Sequence, residues 1–394
     1  MAIATLILCI CLILISLASS NEDLFSPSVI TSFIWTLCLS LYLILPHKLP
    51  ELSFLFYITL SIWISGMCLS SLSIQSCKFT TSTLNNSGKI MRNVYLIISI
   101  ITLPSLITFA QDAIAAGVTG NWAKDLRLAA LGKTGNNEIY GGIQVLIWQI
   151  SYLLELMSFN KKNWYRTIIV ALIYLVFCFI SMSKWNFLNF FIMTIVVLYF
   201  KKTIKMKHIM IGIGTFLLLS IGIQTLRHNT CDSDNFLVLY LVGNMSSFDT
   251  LEPGSSANFG ENTFRMGYAI AEKMGCSSIE PISPILPWIE KPIMTNTYTG
   301  MYPFFLDFGI AGVAIFSLII GSIYGWLYKK AKMGTTFYIL LYAYFVTVIV
   351  TQYVGDMFFT NMTKHLKFGF LLALPFICTK YSVFLQNKEK DDEK

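Results

Sequence analysis

Apolar runs separated by loops of alternating charge constrain this chain more than any other feature. The runs lie near 2–20, 28–46, 52–74, 91–111, 139–158, 165–182, 186–200, 208–226, 303–328, 336–355 and 366–385. Most are long enough, at ~1.5 Å per helical residue, to cross the ~30 Å hydrocarbon layer of a membrane. Positive charge marks every second loop: Lys78, Lys89 and Arg92; then Lys161, Lys162 and Arg166; then Lys201, Lys202, Lys205 and Lys207; then Lys329, Lys330 and Lys332. Those loops belong in the cytoplasm, with the tail KEKDDEK. The intervening loop 227–302, about 75 residues long, then faces outward. The expected fold is all-α: a polytopic membrane protein of about 11 transmembrane helices (10–12), one membrane domain over 1–394 with a large outer loop at 227–302. The first run has no basic stretch ahead of it and is read as a retained span with the N-terminus outside.

Composition narrows the function classes. Apolar residues make up 55% of the chain and charged ones only 12%, about half the ~25% usual in soluble proteins. The net charge of +7 is carried mostly by the inner loops, so topology accounts for it and nucleic acid is excluded as a partner. Cys231 and Cys276 are the cysteines of the outer loop; a disulfide between them and two free thiols are both compatible with an oxidising compartment.

The outer segments have local structure of their own. ENTFRMGYAIAEKMG reads as an amphipathic helix with Gly275 as its C-cap. IEPISPILPWIEKPI carries four prolines, Pro281, Pro284, Pro287 and Pro292, which exclude helix and favour an extended strap on the membrane surface. FLVLYLVGNM is apolar but too short to span. In the second outer loop, 112–138, AKDLRLAALGK forms a short helix ending at Gly132, presenting Lys124 and Arg127 near Trp122.

Candidate chemistry collects on the outer side. Lys184 sits in the very short connection SMSKWN, Arg227 and His228 where the eighth run emerges, and Arg265 within the loop helix. Cations held at a membrane surface suit an anionic head group such as a diphosphate, and Lys184, Arg265, Arg227 and Arg127 are the candidates for that contact. A snorkelling anchor is the alternative for any single Lys. For proton transfer the candidates are His365, then His228 and Asp307. Asp356 is placed to orient the His365 imidazole and raise its pKa, with Lys364 and Lys367 acting the other way; a solvated loop histidine is the bland alternative. Glu155, close to the inner end of its run, reads as structural. HExxH, GxSxG and Walker patterns are absent, and Asp232-Ser233-Asp234 is too common a triplet to mark a metal site. No metal and no cofactor is expected.

Three stretches, YLVGNMSSFDTL (240–251), FGENTFRMGYAI (259–270) and NTYTGMYPFFLDFGIAG (296–312), resemble bacterial oligosaccharide repeat-unit polymerases of the O-antigen polymerase family. SMSKWNFLNFF matches in place a Ser-Arg pair of related enzymes, but with Lys184, which removes the bidentate fork of an arginine. The resemblance implies a GT-C-like membrane glycosyltransferase in the bacterial inner membrane, its long loop in the periplasm. It implies that one undecaprenyl-diphosphate-linked oligosaccharide is transferred to another, without metal or nucleotide. The implied partners are lipid-linked oligosaccharide substrates, membrane lipid and a chain-length regulator protein. Tyr298, Tyr302, Trp288 and Trp122 are the aromatics expected to pack on sugar rings, membrane-interface anchoring being the other role open to the two Trp. A flippase of the same lipid-linked sugars is disfavoured by spans nearly free of central charge. An O-antigen ligase shares the chemistry and stays open; a membrane acyltransferase lacks a convincing His–acid pair.

Overall fold

Each of the eleven apolar runs folds as helix in this computed structural model, which describes residues 1–47, 49–80, 84–85, 87–133, 142–226, 241–276, 278–283, 286–290 and 295–392, the stretch 380–392 by backbone alone. Among the described residues the only β pairing is an isolated bridge between Ile289 and Thr295. Among the described residues six helices are long and apolar enough to cross a membrane: Ala2–Ser20, Pro27–Ile44, Phe54–Ser76, Lys89–Ala115, Met206–Leu226 and Tyr302–Lys332. Four further apolar helices among them are shorter: Gly142–Met157, Trp164–Ile180, Lys184–Phe200 and Thr336–Val350. The protein is thus an all-helical, multi-pass membrane protein. The run at 91–111 is divided at Thr102 into two helical segments, Lys89–Ile101 and Leu103–Ala115. There Pro104 supplies no N–H to the helical ladder and Thr102 Oγ1 donates back to the Ile98 carbonyl at 2.7 Å.

The chain forms two compact units, both discontinuous in sequence. The first comprises Met1–Phe79, Cys231–Lys329 and Val348–His365. It begins with α1 (Ala2–Ser20), α2 (Pro27–Ile44) and α3 (Phe54–Ser76), which pack on one another. Ser53 caps α3 by accepting from Phe56 N at 3.1 Å, and the Asp249 carboxylate accepts from Ser53 N at 2.7 Å, negative charge at a helix N-terminus.

The second unit comprises Thr80–Thr230, Lys330–Thr347 and Leu366–Lys394. It holds α4 (Lys89–Ile101), α5 (Leu103–Ala115), α6 (Trp122–Ala130), α7 (Gly142–Met157), α8 (Trp164–Ile180), α9 (Lys184–Phe200) and α10 (Met206–Leu226). Its buried amides are matched to hydroxyls: Gln149 Nε2 and Asn189 Nδ2 donate to Tyr174 OH at 2.9 and 3.2 Å, and Thr347 Oγ1 donates to Asn189 Oδ1 at 2.8 Å. Glu155, 2% exposed, pairs with Arg166 at 2.8 Å and Arg92 at 3.0 Å. That pairing explains how α7 tolerates a carboxylate.

Later elements of the first unit are the short helix α11 (Gly243–Phe248) and α12 (Arg265–Lys273), the helix expected in the outer loop, closed by Gly275 in the left-handed region at φ 69°. Then come α13 (Tyr302–Lys332), α14 (Thr336–Val350) and α15 (Met362–Asp392), which contribute residues to both units. Within the first unit α13 lies so close to α3 that a side-chain carbon at Gly321 or Gly325 would run into the backbone of Met67 or Ser71, small residues four apart serving close helix approach.

Candidate functional site

The first unit's candidate site is organised by the turn between α14 and α15. Asp356 starts it: Oδ1 accepts from Phe358 N (3.0 Å) and Phe359 N (3.1 Å), Oδ2 from Thr360 N (2.8 Å) and Thr360 Oγ1 (3.1 Å). A carboxylate that collects consecutive backbone N–H groups fixes the turn. Burial nevertheless pushes Asp356 above the ordinary carboxylate range, outweighing those bonds. His365 is held by the same turn, Nε2 lying 2.8 Å from the Met357 carbonyl. A carbonyl only accepts, so that nitrogen carries the proton. The expected Asp356–His365 arrangement is therefore corrected. The carboxylate is engaged by residues 358–360, and burial drives the imidazole down to about 4 rather than up.

Arg265, the first residue of α12, lies against this turn at 8% exposure. Nε and Nη2 both donate to the Ile282 carbonyl, at 3.1 and 2.8 Å, while Nη1 stands 3.5 Å from Thr360 Oγ1. Burial lowers its pKa, with the charge of Asp356 opposing. Thr360 thus bridges Arg265 and Asp356, and the guanidinium ties the strap at Ile282 to the turn.

The strap, where described, is extended as expected. Tyr298 OH donates to the Pro287 carbonyl at 3.2 Å, and Ile289 and Thr295 exchange backbone bonds at 2.9 and 3.0 Å. Thr297 Oγ1 donates to Asn244 Oδ1 on α11. Tyr298 and Tyr302 lie 4.8 Å apart between centroids with their rings tilted by 42°, and are 1% and 7% exposed. Each ring is thus covered by protein rather than open as expected of a sugar platform, and the phenol of Tyr298 pins the strap. Trp288, 58% exposed, does present an open indole.

Asp307 is placed by a kink. Gly309, at φ 61° and ψ −151°, breaks α13 just past its first turns, a conformation open essentially to glycine alone. The Asp307 carboxylate accepts from Ser256 Oγ (2.6 Å), Asn262 Nδ2 (2.9 Å), Asn262 N (3.3 Å) and Thr263 N (2.7 Å). These bonds fill most of its accepting capacity and staple the loop 256–263 to α13.

In the second unit, Arg127 and Lys184 meet the same turn between α8 and α9. Arg127 Nη1 reaches the Ser181 carbonyl at 3.5 Å, and Lys184, first residue of α9, donates to Gln224 Oε1 of α10 at 2.8 Å. The short helix expected ahead of Gly132 is α6, capped by Asn121 side-chain bonds to Ala123 N and Lys124 N. Trp122 is 41% exposed beside Phe179. Arg227, His228, Cys231 and the Asp232–Asp234 triplet lie outside the described residues; Cys276 is an exposed thiol. Sequence reading passed over Thr360, because nothing in FFTNMTKH distinguishes a hydroxyl that bridges two charges from one that faces water.

A family model described as "Putative O-antigen polymerase" matches residues 136–354, more than half of the chain. The match includes Lys184, Arg265 and Asp307 and ends just ahead of the Asp356 turn. No curated protein and no solved structure matches the chain.

Proposed function

The chain belongs to the O-antigen polymerase family, and from that premise we propose that it is a membrane glycosyltransferase polymerising undecaprenyl-diphosphate-linked oligosaccharide repeat units on the periplasmic face of the bacterial inner membrane. The proposed fold is GT-C-like with about eleven spans. The observation that carries the reading is Arg265. Its guanidinium is buried, yet its described partners are a carbonyl and a hydroxyl, with no carboxylate within ion-pair distance among the described residues. A buried cation so placed suits an anionic partner with fixed geometry, such as the diphosphate of a lipid-linked sugar.

In the proposed reaction the bond between the donor's anomeric carbon and its diphosphate oxygen breaks, and the electron pair leaves with the diphosphate. A hydroxyl oxygen of the acceptor repeat unit bonds to that carbon and its proton is released. Arg265 stabilises the negative charge that grows on the leaving group. The donor is already activated, so the chemistry requires neither metal nor nucleotide. Arg127 and Lys184 are proposed as a second phosphate contact, where the first N–H groups of α9 add their own attraction. A chain-length regulator is the protein partner proposed.

The test is the surface polysaccharide of the native strain carrying Arg265→Ala or Arg265→Lys. Losing one such contact costs roughly 10²–10³ in rate, so the alanine variant should leave mostly single repeats on the core, the lysine variant short chains. Wild-type chain lengths at normal protein levels would reject the assignment. Complete absence of glycan from the core would instead favour a flippase or ligase.

A further inference from the structure

Two buried indoles of the first unit converge on one side chain. Trp35 Nε1 on α2 and Trp63 Nε1 on α3 both donate to Gln352 Oε1, at 3.1 and 2.9 Å. The amide nitrogen donates to Thr31 Oγ1 at 3.2 Å and to the Ile349 carbonyl at 2.9 Å. Every member is buried: Trp35 and Thr31 at 0%, Trp63 at 2%, Gln352 at 5%. Apolar packing alone would be served by Leu or Met. A polar hub in which both indole N–H groups and the whole Gln352 amide are matched admits one arrangement and penalises the alternatives.

What this hub holds is the candidate site. The Gln352 carbonyl accepts from Gly300 N at 2.6 Å, and a side-chain carbon on Gly300 would sit 3.0 Å from that same oxygen. The segment Tyr298-Thr299-Gly300 is thus drawn against the hub by an approach that only glycine permits without displacement. Four residues beyond Gln352 stands Asp356, whose turn carries Thr360 beneath Arg265. A small crevice lined by Trp63, Gly300, Gln352, Gly355 and Asp356 joins these parts. The hub therefore touches both supports of the site, the Tyr298 segment that pins the strap and the turn on which the guanidinium rests.

We propose that Gln352 is a positioning residue for glycosyl transfer, clamped by Trp35 and Trp63, which sets the Tyr298–Gly300 segment and the Asp356–Thr360 turn so that Arg265 meets the departing diphosphate. The inference rests on the polymerase reading. Its test uses the full chain with Cys231→Ser and Cys276→Ser and a reporter Asn361→Cys on the same turn. Into this parent are placed Gln352→Met, which removes the hub's polar bonds, and Gly300→Ala, which removes no polar group but presses on the Gln352 carbonyl. Polymer formation from isolated lipid-linked repeat units is measured per folded molecule, alongside labelling of the reporter by a membrane-impermeant maleimide.

Misplacement of a reacting group by about 1 Å costs roughly 10²-fold, so both variants should lower kcat on that scale, with KM for the donor changed by no more than about threefold. Reporter labelling should be several-fold faster than in the parent. Where Gln352→Met does not accumulate, Gly300→Ala decides. Unchanged kcat per folded molecule, even with reduced yield, overturns the proposal by reducing Gln352 to a folding residue. So does a fall in kcat with reporter labelling unchanged. A wild-type chain that forms no polymer, while the reporter in the parent still responds to both substitutions, removes the polymerase reading and leaves the hub's hold on the turn standing.

Discussion

At His365 the local geometry holds the imidazole against the turn. Its Nε2 holds the Met357 carbonyl, and burial, helped by Lys364, keeps the ring neutral down to about pH 4 instead of its ordinary 6.5. A folded pKa below the unfolded one means that the unfolded chain binds the extra proton first. The stability owed to neutral His365 is therefore complete above about pH 6.5 and lost as pH falls toward 4, at most about 3 kcal/mol. The melting temperature of the wild type should drop over that window more than that of His365→Gln, whose amide can still donate to Met357; parallel curves would refute the burial argument. The same variant should keep polymerising. Loss of polymer from well-folded His365→Gln would return the imidazole to the chemistry.

Among the elements, the kink in α13 has the clearest consequence. Helix, break and carboxylate act together: Gly309 takes the non-helical turn, and Asp307 ahead of it collects Ser256, Asn262 and Thr263. Gly309→Ala forces a Cβ into a backbone region that costs ~1–3 kcal/mol. Asp307→Ala leaves the N–H of Thr263 without its acceptor, ~1–3 kcal/mol if it stays buried. Both variants should expose the 256–263 loop to protease added outside spheroplasts while the helices remain inserted. A cleavage pattern identical to wild type would show that the staple is dispensable.

For the whole molecule, the charge alternation makes a prediction independent of any site. A cysteine in place of exposed Ser255 should react with an impermeant thiol reagent in intact spheroplasts, in a background lacking both Cys231 and Cys276, and one in place of exposed Lys205 should not. The reverse pattern would invert the topology and move the proposed chemistry into the cytosol. The two units each carry one set of the cations proposed to meet phosphate, Arg265 in the first and Arg127 with Lys184 in the second. Substituting Lys184 alone should therefore shorten polymer chains without altering labelling at Asn361→Cys, which reports on the first unit.

Hydrophobic length and charge spacing alone determined that this chain is helical, multi-pass and elaborated in one loop, since hydrocarbon imposes continuous apolar helices and the bilayer sorts Lys and Arg by side. Local rules also suffice for the α12 helix with Gly275 and for the α6 helix with Gly132, because caps and helix periods are short-range. Partner choice among polar side chains was decided by tertiary structure. Asp307, Asp356 and His365 read in the sequence as candidates for proton transfer or its support, yet each is engaged by backbone far or near in sequence. Tyr298 and Tyr302 read as open rings and are buried. Gln352 gave no signal inside an apolar run, because its meaning lies in Trp35 and Trp63, roughly three hundred residues away along the chain. Burial and hydrogen-bond pairing depend on which segments meet in space, and one-dimensional periodicity carries no record of that.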